Sequence, residues 1–296
     1  MYRGAVVEGR PEGEGEMVFR AGDALDRERY TGSWAGGQQN GPGEMVFLSG
    51  DRYTGQFQAN LPHGAGMFLY SSGDREEVEM VCGARHGPSR YTCHQDQSVE
   101  EVEFWEGEPR GPGTITFQDG SCEEREFSGG QRNGPARLVG SSGDVFTFQY
   151  RDNVIEGPSL YVWAGGQQEE AVYVAGVKEG PGLEVSATGD RETRTWVAGR
   201  LDGPATLQGT NGDRLEFSYE AGVRRGAATY TFADGSIELS TYNEEGEQTG
   251  PAKFTFPNGA VREGNKVNFL SLSWSVGSCL FLGPPDSSLD VRCENK

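Results

Sequence analysis

Four residues of types that bind zinc in proteins lie within a short stretch of the sequence: Cys82, His86, Cys93 and His94. Zinc sites are built from thiolates and imidazoles at characteristic spacings. The spacing here matches no familiar zinc motif, so the ordinary interpretation is that the four side chains occupy positions of a repeat. We expect neither a metal site nor a cofactor.

Nucleophilic catalysis would need a serine or cysteine beside a positioned base. The three histidines all fall between residues 63 and 94, and no Gly-x-Ser-x-Gly elbow is present. None of the four lysines follows a glycine, so the sequence has no Walker phosphate-binding loop. Gly-x-Gly pairs such as Gly41 with Gly43 look like turns rather than dinucleotide loops. We therefore expect that the chain as it stands is not an enzyme.

The glycines and aromatic residues instead follow a period of 23 residues. One glycine series has intervals of 23 or 24 residues and comprises Gly41, Gly64, Gly87, Gly111, Gly134, Gly157, Gly180, Gly203, Gly226 and Gly250. A second series, aromatic or apolar, comprises Trp34, Phe57, Met80, Phe104, Phe127, Tyr150, Tyr173, Trp196, Tyr219 and Tyr242. Series that share one period indicate about eleven copies of one structural unit.

Each unit has the pattern of a β-hairpin. Tyr30, Gly32 and Trp34 alternate with polar residues, as in a strand with one buried face. Residues 36–41 are rich in glycine and polar side chains and predict a turn. Alternation resumes at Met45 and predicts the second strand. The first unit is longer than the others, and we place its extra residues in a loop at 23–29.

A single 23-residue hairpin cannot bury its aromatic face alone, so neighbouring hairpins must stack. A thin core of this kind agrees with the low hydrophobic content of 34% beside 10% aromatic residues. The sequence therefore predicts an all-β fold, an elongated single-layer antiparallel sheet of stacked hairpins, over residues 1–261. Glu184 stands where an apolar residue is expected, which predicts a packing irregularity. The tail, residues 262–296, is predicted to hold a strand-like stretch that caps the last hairpin, or an unrelated sequence, followed by disorder.

Residues 30–43 resemble the MORN signature, Y-x-G-x-W-x-x-G-x-x-x-G-x-G. The resemblance extends over roughly residues 2–261 and is sharp in the first three units. In the fourth unit Glu76 and Val78 stand where tyrosine and glycine belong. The resemblance implies an array of MORN β-hairpins.

The later units carry a narrower resemblance. Residues 242–250, followed by Phe256, Pro257 and Asn258, are similar to the end of the MORN array in SET-domain lysine methyltransferases. In that family a SET domain follows the array, binds S-adenosylmethionine and methylates lysines of histones and other proteins. The family's Asn-His motif and Gly-Tyr pair are absent, so no catalytic residue is carried over. The alternatives are a stand-alone MORN protein or a truncated or alternatively ended relative of the enzyme.

The net charge of −19 bears on the choice of partner. An acidic surface repels phosphate backbones and anionic lipids, so we expect no direct nucleic-acid ligand and no membrane binding. It favours a protein partner, and a basic one in particular, held by a non-catalytic interaction scaffold. The candidate binding face consists of second-strand aromatic residues: Tyr91, Tyr161, Trp163, Tyr230 and Phe232.

The cysteines and the N-terminal residues suggest where the protein acts. The five cysteines are odd in number and irregularly spaced, which favours free thiols. The first residues contain no apolar segment typical of a signal peptide. We expect an intracellular protein, cytoplasmic, or nuclear if the methyltransferase resemblance holds.

Overall fold

In the computed structural model, which describes residues 1–265, all regular secondary structure is β-strand. The described residues contain no helix long and apolar enough to cross a membrane. The chain divides into two compact units, Met1–Ser141 and Ser142–Lys296. The first unit contains β1 (Tyr2–Val7), β2 (Arg10–Val18), β3 (Arg27–Ala35), β4 (Gln38–Phe47), β5 (Arg52–Gln58), β6 (Leu61–Leu69), β7 (Arg75–Val81), β8 (Ala84–Thr92), β9 (Val99–Trp105), β10 (Glu108–Thr116), β11 (Cys122–Ser128) and β12 (Gln131–Val139).

The second unit continues the same pattern, with three hairpins whose second strand is interrupted after two residues. Its strands are β13 (Val145–Arg151), β14 (Val154–Ile155), β15 (Gly157–Val162), β16 (Gln168–Val174), β17 (Val177–Lys178), β18 (Gly180–Val185), β19 (Arg191–Val197), β20 (Arg200–Leu201), β21 (Gly203–Gln208), β22 (Arg214–Glu220), β23 (Val223–Thr231), β24 (Ile237–Tyr242), β25 (Gln248–Thr255) and β26 (Val261–Asn265).

In each unit the strands pair antiparallel with their neighbours along the chain. In the first unit every strand pairs with the next, from β1 with β2 to β11 with β12. In the second unit β13 pairs with both β14 and β15, and the pattern continues to β25 with β26. Strands β1 to β25 form eleven consecutive hairpins. The predicted all-β fold of stacked antiparallel hairpins is confirmed within each unit.

Two-residue turns close ten of the eleven hairpins at one edge of each sheet, the short-turn edge, whereas residues 243–247 close the hairpin of β24 and β25. Ala175 and Gly176 have φ angles of 50° and 81°, and the left-handed region at both central positions is what a type I′ turn requires. The predicted turn at 36–41 was too long, because the turn consists of Gly36 and Gly37 and β4 begins at Gln38. A type I′ turn needs only two residues, since its twist matches that of the strands.

The recurring glycine series lies in bulges inside the second strands. In the hairpin of β5 and β6, Gly55 pairs with Gly66 and Phe57 with Pro62, so three residues of β6 face one residue of β5. Gly64 lies within this bulge with a φ of 73°, which explains why a glycine recurs at its position.

The apolar core of the first unit consists of tyrosine rings packed over glycine. Tyr30 and Tyr53 are fully buried, and the Tyr30 ring meets Phe57 edge-to-face at 4.9 Å between centroids. A methyl group added at Gly43 would overlap the Tyr30 ring, and one at Gly66 would overlap the Tyr53 ring. Tyrosine and glycine therefore recur together because the ring of one occupies the space left by the other.

The loop between the first two hairpins lies earlier in the chain than predicted, at residues 19–26. Strand β3 begins at Arg27, so the loop does not extend to residue 29. The guanidinium of Arg27 donates to both carboxylate oxygens of Asp23 at 2.9 Å, which fixes the start of the strand. These hydrogen bonds from Arg27 hold the pKa of Asp23 well below its usual range. Of the predicted tail, residues 262–265 belong to β26, and residues 266–296 lie outside the described residues.

Candidate functional site

The predicted binding residues fall into one tyrosine, whose ring lies 6.0 Å from that of Tyr70, and two ring pairs. Tyr91 lies on β8 in the first unit, whereas the other four lie in the second unit. Tyr161 and Trp163 contact each other with ring centroids 4.5 Å apart, and Tyr230 and Phe232 do so at 4.4 Å. All five side chains are half-buried. The two ring pairs occupy equivalent repeat positions, 69 residues apart.

The tyrosine of each group is held by an aspartate from the preceding repeat. The hydroxyl of Tyr230 donates to Asp213 at 2.7 Å, and that of Tyr161 donates to Asp144 at 3.3 Å. Tyr91 donates to Asp74 in the same way, at 2.7 Å.

The same aspartates also accept backbone N–H groups from the next long turn, at the edge of the sheet opposite the short turns. Asp74 accepts from His94 at 2.7 Å, Asp144 from Ala164 at 2.7 Å and Asp213 from Ala233 at 2.8 Å. Each carboxylate therefore joins neighbouring repeats and fixes the position of an aromatic ring.

These hydrogen bonds shift the pKa values of Asp74 and Tyr230. Burial opposes ionisation of Asp74, but hydrogen bonds from Ser72, the His94 backbone and Tyr91 outweigh it and keep the pKa of Asp74 below its usual value. For Tyr230, burial and the hydrogen bond to Asp213 both raise the pKa of the phenol. At neutral pH Tyr230 is therefore a neutral donor and Asp74 a charged acceptor.

Glu76 is a buried carboxylate on the aromatic face of the first unit, where Tyr30 and Tyr53 stand in earlier repeats. Arg85 donates to its two oxygens at 2.7 and 2.8 Å, and the Tyr70 hydroxyl donates at 2.5 Å. Burial alone would raise the pKa of Glu76, but the hydrogen bonds from Arg85 and Tyr70 outweigh burial and lower it.

A second buried cluster occupies the corresponding face of the second unit. Glu192 accepts a hydrogen bond from Tyr219 at 2.9 Å and lies 3.5 Å from the guanidinium of Arg224. Here burial prevails over these contacts and raises the pKa of Glu192. Glu184, whose position predicted a packing irregularity, forms an ion pair with Arg194 in this cluster. The charged partner explains how Glu184 is accommodated at a position where an apolar residue was expected.

The four candidate zinc ligands do not converge. Cys82 precedes β8 and Cys93 follows it, so a strand of nine residues, about 30 Å long, separates them. The ring of His86 packs on Trp105, with centroids 4.3 Å apart. Within residues 1–265, no group of three or more His, Cys, Asp or Glu side chains is placed to hold a metal ion.

The MORN repeat family matches nine segments that together span more than half of the chain: residues 2–24, 30–52, 53–75, 103–122, 126–145, 171–191, 195–214, 218–237 and 244–261. The chain belongs to the MORN-repeat family. No curated protein matches the sequence significantly.

Two solved structures resemble the MORN array distantly. The TCP10 domain of Danio rerio CPAP, in complex with a peptide of Danio rerio STIL, has 14% identity and a TM-score of 0.41, over 77% of this chain and 96% of that one. The TCP domain of Drosophila melanogaster SAS-4, in complex with a proline-rich motif of dSTIL, has 13% identity and a TM-score of 0.33, over 67% of this chain and 94% of that one.

The first residue of each MORN match can be compared with the position of the core tyrosine in that repeat. The first three matched segments begin at Tyr2, Tyr30 and Tyr53. Later segments begin at residues 126 and 195, beyond Glu123 and Glu192, which replace that tyrosine. In these two segments the family match therefore begins after the residue that replaces the tyrosine.

Proposed function

We propose that this MORN protein is a non-catalytic scaffold that binds a protein partner through the ring pairs of its second unit. The observation that supports this function is the pairing of a half-exposed ring, Trp163 or Phe232, with a tyrosine fixed by an aspartate. Binding energy at protein interfaces is concentrated in aromatic anchors, and rings that are already ordered lose little entropy on binding.

The distance between the two ring pairs suits an elongated partner segment. Three repeats, or six strand spacings, separate Trp163 from Phe232, which corresponds to about 29 Å. The equivalent positions between them hold small residues, Ser186 and Gly209. A helix or strand of the partner could therefore contact both ring pairs without obstruction from the intervening repeats.

The test compares two double variants in quantitative affinity capture. Trp163→Ala with Phe232→Ala is expected to lose the proteins that the wild-type chain retains. Val174→Ala with Val197→Ala is the control, because these side chains are 51% and 48% exposed and lie at the short-turn ends of β16 and β19. Circular dichroism must show that both variants are folded. Equal recovery of the same proteins by both variants would refute the proposal.

We also propose that the partner is basic and intracellular. The net charge of −19 supports a basic partner, and Cys82, Cys93 and Cys122 are free thiols. The same charge argues against attachment to anionic membranes, and co-sedimentation with phosphatidylserine vesicles is expected to leave the protein in the supernatant. Secretion of a tagged chain would contradict the intracellular assignment.

A second candidate function rests on the resemblance of residues 242–258 to the array of SET-domain methyltransferases. In that case the array would place a basic substrate for a SET domain encoded downstream. Transcript sequencing past the codon of Lys296 tests this candidate. A SET sequence in frame would support it, and a stop codon in every transcript would refute it.

A further inference from the structure

The face of the first unit opposite the tyrosine core carries a row of residues in which glutamate and proline alternate. Across neighbouring strands, Pro88 pairs with Glu103 and Pro112 pairs with Glu126. Glu79 begins the row beside the bulge that contains Gly87 and Pro88. We call Glu79, Glu103 and Glu126 the acidic row.

The acidic row borders an open groove of about 780 Å³, which Glu79, Glu103 and both prolines help to line. Other carboxylates at this groove are neutralised: Glu77 pairs with Arg75 at 2.6 Å and Glu101 with Arg90 at 3.1 Å.

The three carboxylates of the acidic row have no cation of their own. No ion pair or side-chain hydrogen bond to them is present among residues 1–265. Arg110 stands directly across from Glu103 between β9 and β10 but forms no ion pair with it, and Glu79 and Glu126 have no cation as strand partner. The row therefore offers negative charge that no ion pair holds, beside uncharged proline surface.

The second unit shows that the repeat does not require this charge. Prolines recur there at equivalent positions, but they pair with uncharged residues: Pro158 with Val172, Pro181 with Thr195 and Pro204 with Ser218. The sheet accepts small polar or apolar residues in this row. The fold therefore does not require glutamate at these positions of the first unit.

We propose that the acidic row is the docking site of a basic segment of a protein partner, bound in the polyproline II conformation with Lys or Arg at every third residue. Successive glutamates stand two strands apart, or about 9.6 Å. A polyproline II helix repeats every three residues and about 9.3 Å, so its third-residue side chains project from one side at nearly that spacing. A β-strand turns residues i and i+3 to opposite sides and would not match. The prolines lie between the charges, where they can contact the apolar side of such a helix.

This inference rests on the proposed scaffold function only in taking the partner to be a protein. It concerns a different unit and different residues from the aromatic pairs. Variants of the two surfaces therefore separate the two proposals.

The experiment measures fluorescence anisotropy with a labelled twelve-residue peptide, Lys-Pro-Pro repeated four times, at low ionic strength. We expect saturable binding that weakens with salt. A peptide of the same composition with its lysines contiguous is expected to bind more weakly, because its charges do not match the row. Equal binding of both peptides, or no binding of either, would overturn the proposal.

Two triple variants of equal net charge identify the site. Changing the acidic row with Glu79→Gln, Glu103→Gln and Glu126→Gln is expected to weaken binding about tenfold, the combined effect of three exposed ion pairs. The control changes three exposed glutamates of the second unit: Glu170→Gln, Glu244→Gln and Glu245→Gln. Equal weakening by both triples would show attraction by net charge alone and refute the site. In one outcome the acidic-row triple fails to weaken peptide binding selectively while Trp163→Ala with Phe232→Ala still abolishes capture of partner proteins. That result would refute the acidic row as a docking site and leave the scaffold function supported.

Discussion

Glu76 and Glu192 occupy the same position of the repeat in the two units, and both are buried, with exposures of 3% and 7%. Their pKa values nevertheless shift in opposite directions. Arg85 reaches both oxygens of Glu76 at hydrogen-bond distance. The guanidinium groups of Arg224 and Arg194 remain 3.5 and 3.9 Å from Glu192.

The comparison teaches what allows a carboxylate to replace the buried tyrosine of a MORN repeat. A buried charge is tolerated when charge-assisted hydrogen bonds satisfy it, and it is costly when they do not. Around Glu76 the contacts with Arg85 and Tyr70 offset the burial. Around Glu192 the contacts with Tyr219 and Arg224 do not offset the burial, which raises the pKa of the carboxyl above its usual value.

Replacement of Arg85 by methionine should cause the largest loss of stability, because it removes the cation that distinguishes Glu76 from Glu192. Methionine keeps the packing against Phe68 but leaves the charge of Glu76 without a cation. Breaking one member of a buried pair costs about 3–5 kcal/mol, and we expect the lower end because the Arg85 side chain is 29% exposed. Urea unfolding followed by circular dichroism measures the loss. Arg75→Met, at an exposed pair with Glu77, is the control and should cost less than about 1 kcal/mol. Equal losses would contradict our account.

Glu76→Gln should lower the free energy of unfolding by about 1.5–3 kcal/mol at pH 7, the contribution of hydrogen bonds to a charged group. Because the folded-state pKa of Glu76 is lowered, its stabilising contribution is present above pH 4.5 and is lost as the pH falls through the folded-state value. The difference between wild type and variant should therefore shrink on acidification. Urea unfolding at a series of pH values tests this, with the exposed Glu77→Gln as control. A difference that grows at low pH would be incompatible with an ionised Glu76.

Gly66→Ala tests a repeat that retains its buried tyrosine, in contrast to the repeats of Glu76 and Glu192. The added methyl group would overlap the Tyr53 ring, and such overpacking costs about 1–3 kcal/mol. The corresponding residues are Ser89 and Ala205 in the repeats where Glu76 and Glu192 replace the tyrosine. In a Tyr53→Leu background the cost of Gly66→Ala should therefore become small, as a double-mutant cycle can measure. An unchanged cost would show that the ring does not impose the glycine.

Much of the fold could be predicted from the sequence because the period of 23 residues assigns each residue to a strand or a turn. Alternation of apolar and polar residues also predicts that Tyr30 and Trp34 are buried on one face. The bulges could not be predicted, because nothing local distinguishes a bulge at Gly41 from a longer turn.

The side-chain contacts of the candidate sites depend on the strand register that the bulges set. Arg85 reaches Glu76 only because a bulge shifts the pairing of β8, and Asp74 reaches Tyr91 across the single hairpin of β7 and β8. The recurrence of Asp51, Asp74, Asp144, Asp190 and Asp213 in the long turns is a signal that could have indicated the link between repeats. The alternation of glutamate and proline in the acidic row appears only when neighbouring strands are aligned.

The smallest expected effect is that of Glu192→Gln, and its sign is opposite to that of Glu76→Gln. Because the folded-state pKa of Glu192 is raised, its contribution to stability is fully present below pH 4.5 and is lost as the pH rises through the folded-state value. Glutamine preserves the shape and can accept the hydrogen bond of Tyr219 without a buried charge. The variant should therefore match wild type in acid and exceed it at pH 7, by less than about 1 kcal/mol. Urea unfolding at pH 4 and pH 7 decides between the signs. A variant less stable than wild type at pH 7 would mean that Arg224 holds Glu192 in its charged form, and the two buried glutamates would then be alike.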